Sequence, residues 1–139
     1  MPKIVATVAL ASLSTLVLGL AAGFAIGQAS PPLDTKGQTS VNLQSLDLSD
    51  EMESTKGRPL RMRMITLEPG GVLGLHSHKD RPAVSYFLKG EVTYHQEGKS
   101  DRVVHPGEGI AEGKATTHWA ENRGTVAAVW IAVDIPKEP

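Results

Sequence analysis

From Gly57 onward, turn-forming residues interrupt the chain about every 8–12 positions, and this spacing restricts what lies between them to short strands. Pro69-Gly70-Gly71, Lys89-Gly90, Gln96-Glu97-Gly98-Lys99, Pro106-Gly107, Gly113 and Asn122-Arg123-Gly124 supply the breaks. The apolar runs they separate cover residues 58–67, 72–78, 83–88, 91–95, 102–105, 110–112, 116–121 and 125–133. No helical period appears after residue 30. The expected fold is therefore an all-β sandwich or barrel, with residues 57–135 as its domain. A chain of 139 residues has room for one such domain.

The N-terminal part reads differently. Residues 4–24 carry no charge, Lys3 precedes them, and the next charge is Asp34. A basic start, an apolar stretch and the small residues of Gly27-Gln28-Ala29 describe a secretory signal peptide over residues 1–29, cleaved after Ala29. The same run is long enough to span a bilayer, so an uncleaved anchor is the alternative. Either way the domain is expected in the periplasm or another extracytoplasmic compartment, touching a membrane only through this segment. Residues 30–56 read as a linker and N-terminal extension, with one short strand packed on the domain and no chemistry of its own.

Composition removes several functions. A net charge of −1 and a pI near 6.5 give no electrostatic case for nucleic acid or an anionic membrane surface. With no cysteine, thiol catalysis, thiolate ligands and disulfides are absent.

The stretch from Gly70 to Gly90 carries the chemistry. His76 and His78 are two apart, and on a strand such residues share a face, with Cα atoms roughly 6.5–7 Å apart. Two imidazoles so placed can converge on one metal ion if a third ligand arrives from elsewhere. Two surface histidines on a strand are the plainer reading of that pair taken alone.

These residues resemble the cupin family. Its first motif, G-(x)5-H-x-H-(x)3–4-E-(x)6-G, is matched by Gly70, His76, His78 and Gly90. Its second, G-(x)5-P-x-G-(x)2-H-(x)3-N, is matched by Gly107, His118 and Asn122. The resemblance spans roughly residues 60–133 and implies a double-stranded β-helix, a jelly-roll barrel of the cupin type. It also implies that His118 joins His76 and His78 around one divalent transition metal, with homodimers formed through edge strands. Three departures stand out. Pro82-Ala83 occupies the place of the motif glutamate, Gly113 replaces a proline, and Ala115 replaces a glycine. Asp80, Glu108, Glu112 or His95 are candidates to complete the site. Fe(II), Zn, Mn, Ni, Co and Cu all accept imidazole, so the ligands do not choose the ion.

The expected function is a metal-dependent enzyme on a small organic substrate. Dioxygenase-like chemistry comes first, then isomerase or lyase chemistry, with His95 or Tyr86 moving a proton. The alternative is a non-catalytic module that binds or senses a metal or metabolite, and a metal-free structural domain comes last. Arg61 and Arg63 share a strand face and suit either a carboxylate clamp or a solvated edge. Tyr86 and Trp119 flank the motifs and could line a pocket. Phe87, Trp130, Met62 and Met64 read as core, and His105 as a surface or partly buried histidine.

Overall fold

The computed structural model describes residues 30–137. The expected signal or anchor segment lies outside the described residues. Among the described residues, no helix is long and apolar enough to cross a membrane.

Eight strands follow in order: β1 (Lys36–Asp47), β2 (Pro59–Ser77), β3 (Ala83–Lys89), β4 (Val92–Gln96), β5 (Arg102–Val104), β6 (Gly109–Glu112), β7 (Thr117–Glu121) and β8 (Ala128–Asp134). A single 3₁₀ turn, Glu53–Thr55, precedes β2. The strands form one curled sheet in the order β5-β4-β7-β2-β8-β3-β6, and β1 also pairs with β2. Every pairing is antiparallel. The all-β expectation holds, and the curl gives the sheet a packed inner face.

Two expected strands are one. The residues Glu68-Pro69-Gly70-Gly71 do not end a strand; β2 runs through them and changes partner. Arg61 to Leu67 pairs with β8, whereas Val72 to Ser77 pairs with β7. Gly70 makes the corner with φ at +74°, a conformation that costs a side-chain-bearing residue steric strain. Buried Asn122 clamps the corner from β7's end. Its backbone exchanges hydrogen bonds with Gly70 and Gly71, and its side-chain amide donates to the carbonyls of Leu67 and Val126.

The extension before the domain is also more than a short strand. β1 lies along β2 for twelve residues, almost all exposed. Ahead of it, Leu75 donates its backbone N–H to the Pro32 carbonyl at 2.7 Å, and Gly74 donates to Thr35 Oγ1 at 3.0 Å. A Cβ on Gly74 would lie 2.4 Å from the Leu33 carbonyl oxygen, so only glycine admits this approach.

The core follows from strand alternation. β8 buries Ala128, Trp130, Ala132 and Asp134 and leaves the residues between them half-buried. Trp130 stacks on Phe87 of β3, with centroids 5.3 Å apart. Leu67, Val92 and Val104 are fully buried beside them, each stabilising by roughly 1.5–3 kcal/mol relative to exposure. Met62, expected in the core, is 41 % exposed because its strand parity turns it outward.

Candidate metal centre

The inward residues of β2, β3, β4, β6, β7 and β8 surround a cavity of about 410 Å³. Its floor is apolar, with Ile65, Phe87, Val92 and Trp130 shared with the core. At one side stand His76, His78 and His118. His76 lies directly opposite His118 in the β2–β7 register, and His78 follows two residues later on the same face. His76 Nε2 is 3.2 Å from His78 Nε2, which is 3.1 Å from His118 Nε2. All three nitrogens lie within 4.8 Å of one another.

The hydrogen bonds behind the rings define what the nitrogens can do. His76 Nδ1 meets the Gly74 carbonyl at 2.8 Å, and His78 Nδ1 meets the Arg81 carbonyl at 2.9 Å. A carbonyl only accepts, so the partners assign the proton to Nδ1 in both rings and leave each Nε2 a bare lone pair. Two lone pairs then face each other across 3.2 Å. Burial pushes His76 down to about 4, and burial likewise lowers His78, so neither supplies a proton near neutral pH. A cation is what such a cluster accepts. With metal–nitrogen bonds of about 2.1 Å, nitrogens on neighbouring coordination positions are about 3.0–3.4 Å apart, which the observed spacings fit. His118 Nδ1 is buried without a partner among the described residues, while its ring stacks on Tyr94.

A carboxylate completes the group. Glu112 Oε1 is 2.9 Å from His118 Nε2, and Oε2 is 3.7 Å from His78 Nε2. A proton on His118 Nε2 and a metal cation are alternative partners for Glu112 Oε1. Burial raises the Glu112 pKa, but the His118 hydrogen bond and the charges of both histidines outweigh it and hold the carboxyl below its ordinary range. The Tyr94 hydroxyl donates to Glu112 Oε1 at 3.1 Å, and burial, then the carboxylate, raises the tyrosine so that it keeps its proton. Glu112 stands directly across from Ala83 in the β3–β6 register. The carboxylate missing from the motif position is therefore present one strand over. Asp80 and Glu108 are elsewhere: Asp80 is exposed, and Glu108 accepts from the His105 backbone.

The two expected proton carriers are not brought to the trio. His95 follows Tyr94 and so faces the opposite side of β4, where it stacks on Trp119 at 3.6 Å between centroids. Its ring nitrogens meet Asp101 at 2.8 Å and Glu121 at 3.0 Å. Trp119 thus lines an outer groove with His95, away from the cavity. Tyr86 is 53 % exposed, because Ser85 and Phe87 take the inward positions of β3. His105 is exposed and 3.3 Å from Glu91.

A basic wall adjoins the trio. Buried Asp134 accepts two hydrogen bonds from Arg61, at 3.0 and 2.9 Å, and one from Arg63 at 2.9 Å. Arg81 is 3.6 Å from the same carboxylate. Burial raises Asp134, but the Arg61 hydrogen bond and the three guanidinium charges hold it below its ordinary range. Arg63 and Arg81 line the cavity, with Leu33, Thr35 and Gln38 from the N-terminal extension. The extension therefore contributes to the pocket, contrary to expectation. Asp134 was detectable in the sequence, as the one acid in phase with Ala128, Trp130 and Ala132. Gln38 carries no such signal.

Comparison with known proteins agrees with this architecture. The cupin domain profile matches residues 63–134. An oxalate-binding protein from Thermotoga maritima is 34 % identical over 99 residues, covering 71 % of this chain and 78 % of its own. The chain belongs to the cupin family. Among solved structures, a predicted oxalate decarboxylase from Thermotoga maritima superposes with a TM-score of 0.57 at 22 % identity, covering 77 % of this chain and 94 % of that one. The polyketide cyclase RemF from Streptomyces resistomycificus gives a TM-score of 0.61 at 19 % identity, covering 78 % and 71 %.

Proposed function

We propose that this protein is a metal-dependent cupin that acts on a small organic acid, with His76, His78 and His118 holding one divalent ion. The observation that carries the reading is the convergence of three Nε2 atoms, two of them fixed as lone pairs by their Nδ1 partners. A bound ion would supply Lewis-acid polarisation of a ligand oxygen and, with Fe(II), a centre for oxygen chemistry. The chain's own residues do the rest. Glu112 balances charge as a carboxylate whose Oε1 the Tyr94 hydroxyl orients. The apolar floor excludes water from the reacting side, which strengthens each polar contact above it.

The carboxylate ligand class rests on the curated relative, whose name is that of an oxalate-binding protein. Oxygen-dependent turnover is the first reaction to assay. The relative's name also favours a second reading, in which the acid is held without conversion. The extracytoplasmic setting is proposed from residues 4–24 alone, and N-terminal sequencing of exported protein would check it.

The test is elemental analysis of purified protein beside its His76→Ala, His78→Ala and His118→Ala variants, followed by oxygen-uptake and product assays with small acids including oxalate. Metal in the parent and its loss from all three variants is the expected result. Metal retained in the variants, or none in the parent, would overturn the site. Metal with bound acid but no conversion selects the binding module.

A further inference from the structure

The cavity has a second polar end that the metal reading does not use. Asp134, Ala83 and Glu112 are consecutive cross-strand partners on β8, β3 and β6. Adjacent strands are about 4.8 Å apart, so the two acids sit about 10 Å from each other with only the Ala83 methyl between them. Glu112 belongs to the histidine cluster, and Asp134 gathers the arginines. The structure thus sets the histidine cluster and the arginine cluster on either side of a small residue.

The arginine end has donors to offer. Asp134 already has both oxygens on Arg61, so it accepts from Arg63 only through Oδ2. The other contact of Arg63 is a 3.4 Å approach of its NH1 group to Ser40 Oγ, and its Nε is buried with no partner among the described residues. Gln38 Oε1, on the same cavity wall, is likewise buried and unpartnered. A buried donor without an acceptor is destabilising, and an anionic oxygen is its strongest partner.

We propose that the cavity takes a small dicarboxylic acid laid across Ala83, with one carboxylate at the histidine-held ion and the other on Arg63 and Arg81. This rests on the metal reading above and adds the class of ligand. Ala83 is then a specificity residue, because the glutamate that the family motif places there would fill the space the ligand spans. A hydroxyl on the acid would find its acceptor in Gln38 Oε1.

The experiment is calorimetric titration of the Zn(II)-loaded full chain with malonate against propionate and succinate against butyrate, pairs of equal carbon number. At least one dicarboxylate should bind about 10- to 100-fold more tightly than its monoacid, as expected for an added charge-assisted bond pair. Arg63→Gln should bring that ratio below about threefold with zinc content unchanged, and Arg63→Lys should keep part of it. Ala83→Glu should abolish the dicarboxylate preference by occupying its path. Equal affinities in the parent, no binding of any acid, or an unchanged ratio in Arg63→Gln overturns the proposal while leaving the metal site standing. Failure of the parent to take up zinc, and equally Fe(II), Mn(II), Ni(II), Co(II) or Cu(II), removes the metal reading, and this proposal with it.

Discussion

Two groups stand back to back across the sheet, one around His118 of β7 with His76 and His78 at the end of β2, the other around His95 of β4, and they differ in what their nitrogens lack. Inside, His76 and His78 point lone pairs at one another and at His118. Outside, one residue along each strand, His95 stacks on Trp119 with both ring nitrogens already on carboxylates. The residue types are alike, and the side of the sheet is different. The inner group is short of positive charge at its centre, whereas the outer group is already satisfied. Histidine count therefore says little about metal binding; unmet acceptors on a shared face say much more.

That contrast can be broken by substitution, and the largest effect should be on metal affinity. His118→Ala should weaken binding at least about 100-fold, since each donor carries a few kcal/mol of a binding free energy near 10 kcal/mol. His95→Ala should leave metal affinity unchanged, and competition with a chelating dye would read both. Glu112→Gln should cost about 10- to 100-fold in metal affinity, the usual scale for groups that support a metal ligand set. The same titration checks it, and an unchanged affinity would reduce Glu112 to a filler. On the outer face, His95→Phe keeps the stack on Trp119 but removes two hydrogen bonds. It should lower stability by about 1 kcal/mol in urea titration. Asp101→Asn should change stability by less than about 0.5 kcal/mol, because the aspartate is 60 % exposed and its pair is screened.

Much of the architecture could be read in advance, for identifiable reasons. Turn residues recur at strand spacing, so the all-β class and most strand positions followed. His76, His78 and His118 were legible because their spacing and order are specific. Glu112 was visible only as one of several acids, since cross-strand register, not sequence distance, sets it opposite Ala83. His95 and Tyr86 were suggested by nearness to the motifs along the chain, but side chains alternate along a strand, and both stand on the face turned away from the trio. Pro69-Gly70-Gly71 suggested an end to the strand. The sequence does not reveal that Asn122, some fifty residues on, holds that corner together. The pocket role of Gln38 depends on how β1 docks, which no local pattern encodes.

The partner exchange within β2 also bears on how the molecule comes into being. Its first half waits for β8 and its second for β7, the last two strands to leave the ribosome. Arg61 pairs with Asp134 across 73 positions of chain. Such distant pairings make folding slow, because loop closure is costly before any contact compensates for it. Until β7 and β8 arrive, β2 has only β1 beside it, and His76 has no His118 opposite it. A truncation that removes only β8 should therefore yield neither a partial site nor a smaller barrel, but a chain that aggregates.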